Sequence, residues 1–119
     1  MSDIKTNNVL FTVPSTNNVN ERITESELDN RVIDIATALS TIHGGATASD
    51  KKKGFWIGSN GNAVNEPVIE IYSDCTEQQA IDTQEQLKAL AKTKRIEWGQ
   101  ESIRIASNGN TDFIDKDSK

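Results

Sequence analysis

Residues 54–68 decide the fold, and they read GFWIGSNGNAVNEPV. Two apolar segments flank an Asn60-Gly61 pair in this stretch, which is the strongest short-range signal of a β-hairpin. The tight turn needs positive φ at both central positions, and Asn and Gly accept that conformation. The sequence therefore predicts a strand, a tight turn and a second strand in the middle of the chain.

The chain before this hairpin predicts one strand and one helix. Residues 9–13 form a short β-prone run, and the composition of residues 15–23 is typical of a loop. Thr24 and Glu27 have the spacing of a capping box, and Gly44 allows a left-handed end to the helix. Between them, apolar residues recur in steps of four and three along one helical stripe: Leu28, Val32, Ile35, Leu39 and Ile42.

The chain after the hairpin predicts a helix and two further strands. A second capping box, Thr76 with Gln79, begins a predicted helix over residues 77–94. Residues 100–106 predict a strand, and a second Asn-Gly turn leads into a short edge strand at residues 112–114. The buried side of the predicted helix consists of Ala80, Leu87, Leu90 and Ala91.

The predicted order, β-α-β-β-α-β plus a C-terminal edge strand, indicates an α+β fold. It is typical of the ferredoxin-like split βαβ arrangement, an antiparallel sheet with two helices on one face. We expect a single domain over residues 1–119, with a flexible loop at 15–23 and a flexible tail at 115–119. Only 34% of residues are hydrophobic, so the bare sheet face predicts a homodimer, or another homo-oligomer, or a platform for a ligand.

The composition limits the possible binding partners of the protein and its cellular compartment. The net charge of -5 argues against direct nucleic-acid binding and against attraction to an anionic membrane. No apolar run is long enough to span a bilayer, and the first residues lack the pattern of a secretory signal. Cys75 is the single cysteine, so an intramolecular disulfide is impossible. These features predict a cytoplasmic protein.

Motifs for nucleophilic, metal or cofactor chemistry are absent from the sequence. Cys75 and His43 could form a Cys-His pair, but a small apolar residue at a strand end and a favourable cation at a helix end are simpler interpretations. One His and one Cys give no familiar ligand spacing, and no Gly-rich loop precedes a helix. We therefore expect no metal, no cofactor and no assignable catalytic residue.

Carboxylates and cations supply the candidate ligand site. Glu66, Glu70 and Glu101 could converge on one sheet face and do acid–base work, or they could be solvated or paired with Arg104. The Lys51–Lys53 run precedes Phe55-Trp56, which places cations beside flat aromatic surfaces that suit a nucleotide-like ligand; a solvated loop with Trp56 in the core is the alternative. The candidate ligand-binding residues are Lys53, Trp56, Glu70, Glu101 and Arg104.

A resemblance rests on three short motifs of this sequence. They are the Gly54-Phe55-Trp56 strand, Glu66 after the turn, and Gln100-Glu101-Ser102-Ile103 at the start of the late strand. Together they resemble a family of small bacterial and phage proteins in which a Gly-x-Trp strand, a turn, an acidic residue and a Gln-Glu-Ser strand recur in this order. The resemblance covers roughly residues 41–105 and implies a compact α/β domain without an agreed activity.

Three functions remain open at this point. The first is a non-enzymatic binding protein, such as a phage or mobile-element accessory factor, that inhibits a protein partner or sequesters a small anionic ligand. In the inhibitor version, acidic residues of the first helix would imitate phosphate charge: Glu25, Asp29 and Asp34. The second is a small enzyme that uses the sheet-face carboxylates, and the third is a structural module that forms oligomers.

Overall fold

A computed structural model describes residues 4–18, 21–107 and 109–118 of the chain. It confirms the α+β class and the antiparallel sheet. The elements are β1 (Asn7–Pro14), β2 (Thr16–Asn17), β3 (Glu21–Arg22), α1 (Glu25–His43), β4 (Thr47–Ala48), β5 (Lys52–Ile57), β6 (Ala63–Cys75), α2 (Glu77–Asp82), α3 (Gln84–Glu97), β7 (Ser102–Ser107) and β8 (Asn110–Asp115). None of the described helices is both long and apolar enough to cross a membrane.

The main sheet is antiparallel throughout and has β1 in its middle. Its order is β4-β6-β1-β7-β8, and β5 pairs with the same edge of β6 as β4 does. The register aligns Phe11 with Ile71 on one side and with Ile105 on the other. This is the strand order that the ferredoxin-like prediction requires.

One core lies between the sheet and the three helices. Alternate residues of β1, namely Val9, Phe11 and Val13, point into it because successive strand residues face opposite sides. The rings of Phe11 and Trp98 meet edge to face, with centroids 6.2 Å apart. The helices contribute mainly Leu28, Ile35, Leu39, Ala80, Leu87 and Ala91.

The first helix follows the predicted stripe and adds two polar residues to it. Thr24 caps the helix by accepting the N–H of Glu27 at 3.1 Å, and Gly44 ends it with a φ of 91°. Arg31 and His43 are buried together with the apolar residues of the helix. The apolar period therefore identifies the buried face of the helix, but it does not reveal that Arg31 and His43 are buried there too.

The turn between β5 and β6 is longer than the Asn-Gly rule predicts. Ile57 pairs with Ala63, so five residues form the loop. Gly61 has a φ of 84°, whereas no positive φ is found for Asn60. Gly58 closes the loop by donating its N–H to the Asn62 carbonyl at 2.9 Å. The prediction that both Asn60 and Gly61 have positive φ is therefore wrong.

The second predicted Asn-Gly turn, between β7 and β8, is a shorter connection. Ser107 pairs with Asn110, and Gly109 has a φ of 81°. Asn108 of this predicted turn lies outside the described residues, as do Val19 and Asn20 of the predicted loop.

The predicted single helix over residues 77–94 is divided at Thr83. The Thr83 hydroxyl donates to the Gln79 carbonyl at 2.6 Å, and Thr83 has non-helical dihedral angles. A threonine hydroxyl that bonds the preceding turn competes with the helical ladder, which accounts for the break. The second capping box is confirmed, because Thr76 and Gln79 bond each other's backbone N–H groups.

The chain after β1 also differs from a plain loop. Thr16 and Asn17 form a short ladder with Arg22 and Glu21, and Thr16 is 6% exposed. This segment therefore carries a buried residue at the end of the sheet, although the composition indicates only loop chemistry.

Candidate active site

A pocket of about 570 Å³ lies on the sheet face opposite the helices. We call it the open-face pocket. It is bounded by β5 and β6 on one side and by β7 and β8 on the other, with the end of β1 as its floor. Its lining comprises Thr12, Pro14, residues 52–57, Glu66, Val68, Glu70, residues 100–104 and Phe113.

Opposite charges are balanced in this lining. It contains three cations, Lys52, Lys53 and Arg104, and three carboxylates, Glu66, Glu70 and Glu101. Such a lining suits a ligand that carries charges of both signs, because each charge of the ligand finds a group of opposite charge.

Glu70 holds the centre of the charged cluster. One of its oxygens lies 2.5 Å from Nζ of Lys52, and the other lies 3.4 Å from a guanidinium nitrogen of Arg104. The Glu70 side chain is 19% exposed, so the two cations shield it from solvent on two sides. The sequence analysis left open whether this carboxylate is solvated or paired with Arg104, and the pairing is observed.

Glu66 is the more buried carboxylate and is bound differently. It is 7% exposed, and its Oε1 accepts the hydroxyl proton of Thr16 at 2.8 Å. Gly54 pairs with Glu66 across the β5–β6 ladder. A Cβ at position 54 would lie 2.9 Å from the Glu66 carbonyl oxygen, so glycine is needed for this close approach.

A buried polar network lies behind Glu66. Arg31 donates to the carbonyls of Pro14 at 2.8 Å and Thr16 at 2.9 Å, and its guanidinium stacks 4.8 Å from the centroid of the Trp98 ring. Gln100 donates to the same Thr16 carbonyl at 2.7 Å. Burial lowers the pKa of Arg31, and the charges of nearby carboxylates partly oppose this shift.

Aromatic side chains flank the charged centre. Trp56 is half-buried, while Phe55 and Phe113 are 67% and 58% exposed. Trp56 shares the open face with Lys52 and Gly54, because these residues alternate along β5. The pocket thus offers flat apolar surface next to charge, which is what a nucleobase attached to a charged group requires.

The structure brings together all five predicted ligand-binding residues, since Lys53, Trp56, Glu70, Glu101 and Arg104 line the open-face pocket. Their role in binding stays a prediction. Sequence reasoning missed Lys52, since it chose only Lys53 from the lysine run; both residues belong to β5. It also missed Thr16, whose loop-like neighbours hide its contact with Glu66.

The three acidic residues predicted to contact a protein partner lie on the exposed surface of α1. Glu25 is paired with Lys51, and Asp34 is paired with Lys94. Burial works to lower the pKa of Lys94, but the bonds and charges from Asp34 and Glu97 outweigh it, so the pKa is raised. Two of the three predicted carboxylates are thus already engaged by lysines of the same chain, which weakens the inhibitor version of the first hypothesis.

His43 and Cys75 are core residues. Burial raises the pKa of the Cys75 thiol, and burial lowers the pKa of His43. The prediction of a favourable cation at the end of α1 is therefore wrong for His43. Among the described residues, no group of three or more His, Cys, Asp or Glu side chains is arranged to hold a metal ion.

Solved structures of a phage SAM lyase share this fold. The lyase in complex with S-methyl-5′-thioadenosine is 17% identical to this chain, with a TM-score of 0.63 and coverage of 92% of this chain and 88% of that one. The lyase in its apo state is 18% identical, with a TM-score of 0.62 and coverage of 95% and 91%. No protein-family model matches the chain, and no curated protein matches it.

These comparisons contradict the first functional hypothesis. The structures that share the fold belong to an enzyme, so the prediction of a non-enzymatic binding protein, and of a chain that is more likely no enzyme, loses its support. The alternative, a small enzyme with sheet-face carboxylates, agrees better with them. The homo-oligomer, the cytoplasmic location and the resemblance to the bacterial and phage family stay predictions.

Proposed function

We propose that this chain is a small enzyme that cleaves S-adenosylmethionine, or a close sulfonium analogue, in the open-face pocket. The observation that carries the proposal is the pocket itself, in which three carboxylates, three cations and aromatic surface converge. The likeness to a phage SAM lyase that binds S-methyl-5′-thioadenosine supports the choice of substrate.

The charges of the substrate match those of the pocket. S-adenosylmethionine carries a carboxylate, an ammonium group and a sulfonium. Arg104 and Lys52, which also bond Glu70, have further N–H donors that can hold the substrate carboxylate, and the ammonium group can lie against Glu101 or Glu66. Trp56 offers a stacking surface for adenine, and stacking of a base on an aromatic ring contributes about 1–3 kcal/mol.

The identity of the thioadenosine product defines the bond that breaks. S-methyl-5′-thioadenosine keeps the adenosyl and methyl groups, so the sulfur loses its bond to the aminocarboxypropyl chain. The electron pair of that bond goes to sulfur, which becomes a neutral thioether. The aminocarboxypropyl chain leaves in one of two ways. Its own carboxylate attacks the carbon bound to sulfur, which gives a lactone, or a carboxylate of the pocket removes a proton from the next carbon, which gives an alkene.

The change of charge between substrate and transition state determines which role of a carboxylate would accelerate the reaction. The positive charge on sulfur disappears during bond cleavage, so a carboxylate against sulfur would stabilise the substrate more than the transition state. The same carboxylate helps when it anchors the ammonium group or accepts a proton. Glu70 is already paired with Lys52 and Arg104. Glu66, which has one oxygen fixed by Thr16, is therefore our candidate for this role.

The test is incubation of the purified protein with S-adenosylmethionine and separation of the nucleosides by liquid chromatography. We expect S-methyl-5′-thioadenosine to form in proportion to protein, above the protein-free rate. The second product distinguishes the chemistry by NMR and mass: lactone and alkene are isomers, and homoserine from hydrolysis is heavier by one water.

Three variants assign the site. Loss of a positioned acid or base costs about 10²–10⁴-fold in rate, so Glu66→Gln should lower kcat by at least about 100-fold. Trp56→Ala should raise KM by about tenfold, as expected for a lost stacking partner. Glu85→Gln, an exposed carboxylate on α3, is the matched control. No product above the protein-free rate, or equal rates in all variants, would overturn the proposal.

A further inference from the structure

We infer that Thr16 is a positioning residue that orients Glu66 for the reaction, and that Arg31 and Gln100 hold Thr16 in place. This inference rests on the proposed function and assigns a task to Thr16 and Arg31, which do not line the pocket, and to Gln100, which does. Thr16 itself does not line the pocket. Its contribution therefore has to pass through Glu66.

Thr16 and Glu66 meet just past the end of the β1–β6 ladder, where Pro14 pairs with Val68. Thr16 lies two residues beyond Pro14, in β2, and Glu66 lies two residues before Val68, in β6. The hydroxyl of Thr16 donates to Oε1 of Glu66 at 2.8 Å, and both residues are less than 8% exposed.

Two donors fix the backbone of Thr16 from behind. The Thr16 carbonyl accepts a hydrogen bond from Arg31 at 2.9 Å and another from Gln100 at 2.7 Å. Both donors are at least nine-tenths buried. Arg31 also bonds the Asn17 side chain at 2.9 Å, and Gln100 bonds the Trp98 carbonyl at 2.9 Å. The segment is thus held more firmly than its loop-like composition suggests.

The consequence is a carboxylate with one fixed oxygen. Because the Thr16 hydroxyl bonds Oε1, it restricts the rotation of the Glu66 carboxylate, and in our inference Oε2 serves the ligand. Groups that orient a reacting side chain typically change activity by about 10–100-fold when they are removed, as measured for the outer ligands of metal sites. A purely structural hydroxyl would have no such effect on turnover.

The experiment compares Thr16→Val, which keeps the shape of the side chain, with Thr16→Ser, which keeps the hydroxyl. We expect Thr16→Val to lower kcat by about 10–100-fold with KM changed by less than about threefold, and Thr16→Ser to stay within about threefold of wild type. Thr93→Val, exposed on α3, is the control. A wild-type kcat in Thr16→Val, or an equal loss in Thr16→Ser, would overturn the inference.

A second measurement does not depend on turnover. Urea unfolding is measured for the double-mutant cycle of Thr16→Val and Glu66→Leu, because Gln at position 66 would still accept the Thr16 hydroxyl. A hydrogen bond to a charged group should make the unfolding constants of the two variants non-additive by at least about tenfold. Additive effects would show that the two side chains are uncoupled. If the cycle shows coupling but the wild-type protein does not cleave S-adenosylmethionine, the contact between Thr16 and Glu66 is supported and the proposed function is refuted.

Discussion

Replacing Arg31 with Met tests whether the buried network behind the pocket holds the end of the sheet. The substitution keeps the unbranched apolar stem and removes the guanidinium. The protein loses bonds to the carbonyls of Pro14 and Thr16 and to the side chain of Asn17, together with the stacking on Trp98. Arg31 is 7% exposed, so solvent cannot simply replace these bonds.

The magnitude follows from these contacts. A hydrogen bond from a charged donor contributes about 1.5–3 kcal/mol, and a cation–π contact contributes about 1 kcal/mol. The Thr16 carbonyl keeps its bond to Gln100, and Asn17 is partly accessible to water. The variant also no longer buries a charge, which offsets part of the loss. We therefore expect the free energy of unfolding to fall by about 2–4 kcal/mol.

Urea unfolding followed by Trp fluorescence measures this change. With a slope of about 2 kcal/mol per molar urea, the midpoint should fall by roughly 1–2 M. Arg22→Met is the matched control, because Arg22 is exposed on β3 and should change stability by less than about 0.5 kcal/mol. If Arg31→Met and Arg22→Met gave the same midpoint, the network would not stabilise the fold, and the reasoning would be refuted.

Two further predictions concern the core and the β5 side of the pocket. Burial lowers the pKa of His43, and its buried Nδ1 has no described partner, so the unfolded chain binds the proton more readily. Stability should therefore fall as the pH drops below about 6.5, and His43→Gln should flatten the dependence measured by unfolding between about pH 7.5 and 5.5. Gly54→Ala should lower stability by about 1–3 kcal/mol, because its Cβ meets the Glu66 carbonyl. Gly45→Ala, with no atom within 4 Å of the added Cβ, should not, and equal melting temperatures would contradict this expectation.

The sequence was sufficient for the features that depend on local periodicity. The alternation in β1 and β6 and the stripe on α1 identify the core face, because burial repeats with the period of each element. Helix ends were also predictable, since Thr24, Thr76 and Gly44 act through contacts within one turn. The break at Thr83 was not, because it depends on whether one hydroxyl bonds the helix or the solvent.

The site was predictable in its residue types but not in its connections. Lys53, Trp56 and Glu70 lie on neighbouring strands, so a correct strand order was enough to bring them together. The contact of Thr16 with Glu66 joins residues fifty positions apart, and that of Gln100 with Thr16 spans eighty-four. Such contacts leave no periodic signal, because each depends on where the sheet ends and not on how a strand alternates.

The end of the sheet explains both the pocket and the network behind it. β6 runs from Ala63 to Cys75, whereas its ladder with β1 stops at Val68. Beyond that point β6 lacks a long neighbour on its β1 side, which leaves room on the open face. The chain that continues from β1 is held there by side chains: Arg31 and Gln100 bond the Thr16 carbonyl, and the Thr16 hydroxyl bonds the Glu66 carboxylate. A longer β1 would fill the space next to Glu66, so the unequal strand lengths are what create a site there.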